Sequence, residues 1–107
     1  MSVKKVISEF RTYLRHVLAG ARHHATNVDS VALTLAGAVE AYCNPRAPLE
    51  TTGNVLWFSV GPRPYYLRYD HQREAIELRH RNRNGAVIAT FDNATEARTV
   101  LAVFKEL

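Results

Sequence analysis

The sequence predicts an α+β fold in the order ααββββα: a helical hairpin, a four-stranded antiparallel meander and a C-terminal helix. Three observations predict it. Apolar residues recur at steps of three and four over 3–22 and again over 28–42. Short runs of strand character follow at 55–60, 65–70, 75–81 and 86–91, separated by Gly-Pro-Arg-Pro (61–64), the polar segment 70–74 and Asn84-Gly85. Helical spacing then returns after Asn93.

In the first helix, Val3, Val6, Ile7, Phe10, Leu14, Val17, Leu18 and Ala21 form one stripe, with Ser2 as N-cap. Its end is expected around 22–25, after Gly20 and beside His23 and His24. The stripe is expected to pack on the sheet, although a basic amphipathic helix also suits a membrane surface. The second helix carries Val28, Val31, Ala32, Leu35, Val39 and Tyr42 on one side, with Thr26 or Asn27 as its cap. Its other side, Leu33, Ala36, Gly37 and Ala41, is small and apolar and calls for cover, which a second copy could supply. Asn44-Pro45 stops this helix, and residues 44–54 read as a loop. The last helix has a stripe of Ala97, Val100, Leu101 and Phe104, and Asn93 and Glu96 have capping-box spacing.

Register follows from the turns. A two-residue turn at Asn84-Gly85 sets Leu78 opposite Phe91, His80 opposite Ala89 and Arg79 opposite Thr90. Pairing Asp70 with Ala75 sets Leu67 opposite Leu78, Arg68 opposite Glu77 and Tyr66 opposite Arg79. Pairing Val60 with Tyr65 sets Phe58 opposite Leu67 and Trp57 opposite Arg68. All three place Phe58, Leu67, Tyr69, Ile76, Leu78, Val87 and Phe91 on one inner face under the helices. The outer face then holds Trp57, Tyr66, Arg68, Glu77, Arg79, Arg81, Ile88 and Thr90.

A chain of 107 residues and 12.1 kDa should expose about 6,000 Å² when folded, against about 17,500 Å² extended. That is enough burial for one core, so residues 1–107 are expected to form a single domain. A 47% hydrophobic and 22% charged composition excludes a disordered chain. The lone Cys43 excludes an internal disulfide and a cysteine-based zinc site; it reads as a buried helix-end residue. With no run of apolar residues at the start and none long enough to span a bilayer, a cytoplasmic protein is expected. The net charge of +4 is concentrated in residues 1–24 and 63–85, which favours anionic partners.

The outer face carries the chemistry most worth testing. Trp57, Tyr66, Arg68, Arg79, Arg81 and Arg83 are the candidate binding residues, because rings take bases by stacking while guanidinium groups neutralise phosphate. The plainer reading is a solvated or dimer-buried face held by a Trp57–Arg68 cation–π contact and an Arg68–Glu77 pair. Asp70, Glu74 and Glu77 lie among arginines and read as surface ion pairs. His16 and His23 share a helix face, but two ligands make no metal site, and no metal or cofactor is expected. His80 points inward by register, at the rim of the core, and His71 sits in a turn. Motifs for a nucleophile elbow, a Walker loop or a dinucleotide fold are missing.

The segment from Tyr65 to Phe91, with Arg68, Arg79, Arg81 and Arg83, resembles the sheet of small RelE-type ribonuclease toxins. Those have a strand before the helical hairpin, where this chain begins with a helix, and no catalytic residue matches by position. In overall layout the whole chain resembles the short α+β proteins encoded by bacterial integron gene cassettes. That resemblance implies a mobile gene product, often oligomeric, and hands over no functional residues. The residues therefore read as a small non-enzymatic binding module and homodimer. Its site would be the outer sheet face or a pocket between the first two helices. Nucleic-acid binding through the outer face is the alternative, and a RelE-like ribonuclease the third reading.

Overall fold

The computed structural model describes residues 8–13, 28–44, 46–47, 49–52, 54–70, 72–81 and 85–107. Residues 8–13 are helical and form α1. The following elements are α2 (Asp29–Tyr42), β1 (Glu50–Thr52), β2 (Val55–Val60), β3 (Arg63–Asp70), β4 (Ala75–His80), β5 (Val87–Phe91) and α3 (Ala97–Lys105). Among the described residues the strands form one antiparallel sheet in the order β1-β2-β3-β4-β5. The α+β class and the meander stand as expected. Expected features at Ser2, Leu14, His16, His23, Thr26, Asn27, His71, Arg83 and Asn84 lie outside the described residues.

The expected loop 44–54 contains a fifth strand. Thr52 pairs with Val55 in a tight hairpin, and β1 forms one edge of the sheet. Gly53-Asn54 between them is itself a two-residue hairpin signal. Asn54 locks this turn to β3, donating from Nδ2 to the Tyr69 carbonyl at 2.7 Å.

Two registers differ from expectation. In the β2–β3 hairpin Val60 faces Arg63, not Tyr65, so the turn is the two residues Gly61-Pro62. Gly61 has φ +59°, a left-handed conformation that glycine adopts without a Cβ penalty. Phe58 therefore faces Tyr65, and Trp57 faces Tyr66. The shift is two residues, so both keep the expected face. The β3–β4 register is as expected. In the β4–β5 pair Ile76 faces Phe91 and Leu78 faces Ala89. A bulge between Leu78 and Arg79 then puts Val87 opposite Arg79 and leaves Ile88 as the extra residue. Val87 is consequently exposed (44%) while Ile88 packs against the core, the reverse of their expected faces.

The core gathers Leu56, Phe58, Tyr65, Leu67, Tyr69, Ile76, Leu78 and Phe91 of the sheet with Val31, Ala32, Leu35, Ala38 and Val39 of α2. Phe10 and Tyr13 of α1 and Val100 and Phe104 of α3 join the same cluster. Phe104 stacks on Phe58 with ring centroids 5.8 Å apart. The α3 stripe runs through Val100, Val103, Phe104 and Leu107, so it is rotated from the expected one; Ala97 and Leu101 face solvent. Leu33 (67% exposed), Gly37 and Ala41 are exposed along α2.

Asn93 does not cap α3. Its Oδ1 accepts hydrogen bonds from the backbone N–H groups of Ser30 and Val31, both at 3.0 Å. These are orphan donors of the first turn of α2, whose own N-cap, Val28, offers no side-chain acceptor. At the other end Asn44 donates from Nδ2 to the Gly61 carbonyl at 2.9 Å, tying the helix stop to the β2–β3 turn.

Phe104→Ala should lower the unfolding free energy by roughly 3–5 kcal/mol. Asn93→Ala should cost about 1 kcal/mol, although its side chain belongs to neither helix. Both are read as urea midpoints at unchanged slope.

Candidate functional site

The meander aligns the outer-face residues in two cross-strand rows. Trp57, Tyr66, Arg79 and Val87 make one, and Val55, Arg68, Glu77 and Thr90 the other. Trp57 and Tyr66 are ring neighbours with centroids 4.9 Å apart. Arg81, just beyond β4, places its guanidinium carbon 4.7 Å from the Trp57 ring centroid. The expected Trp57–Arg68 contact is thus replaced by an Arg81–Trp57 contact, because the tighter hairpin moves Arg68 two residues along. Ile88 leaves this face through the bulge, and Val87 takes its place.

Glu77 is not a surface ion pair, as it is only 2% exposed. Arg68 donates to its Oε1 from Nη2 at 2.8 Å and from Nε at 3.2 Å. Arg79 donates to Oε1 from Nε at 3.2 Å and to Oε2 from Nη2 at 3.3 Å. Arg79 Nη1 also donates to the Gly85 carbonyl. Desolvation pushes the Glu77 carboxyl upward, but the hydrogen bonds and charges of Arg79 and Arg68 outweigh it and hold it below the ordinary value. Of the candidate binding residues, Arg68 and Arg79 therefore serve Glu77, and Arg81 lies on Trp57. This face is largely self-satisfied.

On the opposite face, among the described residues, α3 leaves one end of the sheet uncovered. An open cleft of about 760 Å³ lies there. Its apolar lining is Tyr65, Ile88, Ala102, Val103 and Leu107. Its polar lining is Arg63, His80, Arg98, Thr99 and Glu106. Arg63 and Tyr65 lie two apart on β3 and so share the inner face. His80 stands opposite Tyr65, with ring centroids 5.3 Å apart, so its inward placement matches the sequence reading. The bulge supplies Ile88. Sequence reasoning missed Arg63 because it fell within the presumed 61–64 turn; the alternation Arg63, Tyr65, Leu67, Tyr69 is the signal that places it in the strand.

Among the described residues no group of three or more His, Cys, Asp or Glu is placed to hold a metal ion. Cys43 lies half-buried at the end of α2, and burial pushes its thiol upward, away from the thiolate form.

The family model for Integron cassette protein VCH_CASS1 chain matches residues 10–101. The chain belongs to this integron cassette family. Its family marks the cassette protein as the product of a mobile gene cassette and names no activity. A comparison with curated proteins returned no match. The matched region holds the whole outer face and the strand wall of the cleft, whereas Ala102, Val103, Glu106 and Leu107 of the helix wall lie beyond it. Among the described residues of the cassette protein, no helix is long and apolar enough to cross a membrane.

Glu77→Gln should destabilise the cassette protein at neutral pH by roughly 1–3 kcal/mol, less than for a fully buried pair because Arg68 reaches solvent. The native Glu77 pKa is depressed, so its contribution is complete above the ordinary value of 4.5 and is lost as pH falls through the lower folded value. The gap between wild type and variant should therefore narrow below pH 4.5 in denaturant melts. A gap constant down to pH 2–3 would contradict an ionised Glu77 in the fold.

Proposed function

We propose that this cassette protein is a non-enzymatic binding module that takes a small molecule in the cleft between α3 and the strand residues Arg63, Tyr65, His80 and Ile88. The observation that carries the reading is the cleft itself. Its volume, about 760 Å³, falls in the range of small-molecule sites, about 300–1,000 Å³. An apolar lining from Tyr65, Ile88, Val103 and Leu107 supplies burial, and a few polar groups at its edges supply orientation. Among the described residues of its lining no nucleophile is paired with a base, and His80 has the Tyr65 ring as its neighbour.

The outer face supports nucleic-acid binding less well. Trp57 and Tyr66 offer ring surface, but Arg81 already covers Trp57, and Glu77 neutralises one of the charges that Arg68 and Arg79 would present to phosphate. Backbone amide NMR discriminates the two. Small organic acids and alcohols at millimolar concentration should shift resonances of Tyr65, His80, Ile88 and Val103, and oligonucleotide should leave Trp57 and Tyr66 in place. Ala102→Trp, an exposed position on the cleft wall, should abolish the shifts without altering stability by more than about 0.5 kcal/mol. Oligonucleotide shifts on Trp57 and Tyr66, with a silent cleft, would reverse the assignment.

A further inference from the structure

We propose, on the reading that the cleft is the binding site, that its ligand is a carboxylic acid with an apolar body, held by Arg63. The arginines of the strands divide sharply. Arg68 and Arg79 are both hydrogen-bonded to Glu77. Arg63 has no ion pair among the described residues, and it lies on the opposite face at the edge of the cleft. Across the cleft, Arg98 on α3 is held at Nε by Glu96 at 2.6 Å. Glu106 is the carboxylate of the lining. Arg98 is thus already answered by Glu96, and Arg63 is the cleft-wall cation with no carboxylate partner among the described residues.

The register adds a second donor beside the first. Tyr65 faces His80 directly, and Arg63 precedes Tyr65 by two residues, so Arg63 and His80 are diagonal neighbours on one face. Such pairs lie roughly 7–8 Å apart, within reach of a long side chain. A carboxylate between them takes the planar guanidinium fork on one side and an imidazole N–H on the other. The hydrocarbon body then lies along Ile88, Val103 and Leu107, where apolar surface is open. A bare inorganic anion would leave that surface wet, and a neutral amphiphile would leave Arg63 unanswered.

Isothermal titration of the full chain with octanoate, 3-phenylpropanoate and the matching alcohols, octanol and 3-phenylpropanol, tests this. At least one acid should bind, and its alcohol should bind roughly ten- to a hundredfold more weakly, the loss of one charge-assisted hydrogen bond. Arg63→Gln should erase most of that difference, weakening the acid and leaving the alcohol unchanged. Arg73→Gln, in the exposed β3–β4 turn away from the cleft, should change neither. Equal affinity for acid and alcohol, or an acid affinity indifferent to Arg63→Gln, would overturn the carboxylate assignment while leaving the cleft as a binding site. Failure of all four probes to bind would overturn both.

Discussion

Successive side chains of a strand point to opposite faces, so five antiparallel strands can bury one set of residues only at the cost of fixing the other. Everything else in this chain is arranged by that alternation. Leu56, Phe58, Tyr65, Leu67, Tyr69, Ile76, Leu78 and Phe91 enter the core together. Trp57, Tyr66, Arg68, Glu77 and Arg79 are thereby forced into company on the other side. Once there, Glu77 is crowded out of water and needs both guanidinium groups. The polar cluster is thus a consequence of the hydrophobic one.

The parts of this arrangement that sequence makes legible are those that depend on parity alone. The β3–β4 register and both faces of β2, β3 and β4 follow from apolar alternation and one polar turn. Registers shifted by two residues escape it, because a two-residue slip exchanges partners without exchanging faces. That is why Trp57 is found beside Tyr66 and under Arg81 in place of Arg68. The bulge escapes it for a different reason. Residues 86–89 are Ala-Val-Ile-Ala, an unbroken apolar run in which alternation gives no sign of which residue is extra. β1 is only three residues long and too short to show a period. Asn93 has local spacing that suits α3, yet it serves a helix more than sixty positions earlier.

The candidate site inherits these blind spots. The cleft is assembled from Arg63, which the tight Gly61-Pro62 turn delivers into β3, from Ile88, which the bulge turns inward, and from a rotated α3 stripe. His80 is the one member whose inward placement the sequence reading had. The family gives the chain its place among mobile cassette products, and the chemistry has to be argued from these side chains.

The Asn93 contact also ties two helix approaches together. Two N–H groups at the start of α2 find their acceptor on a residue synthesised after all five strands. Closure of that helix end and docking of the segment leading into α3 are therefore coupled. Fraying of the one loosens the other, so two elements far apart along the chain open and close as a unit.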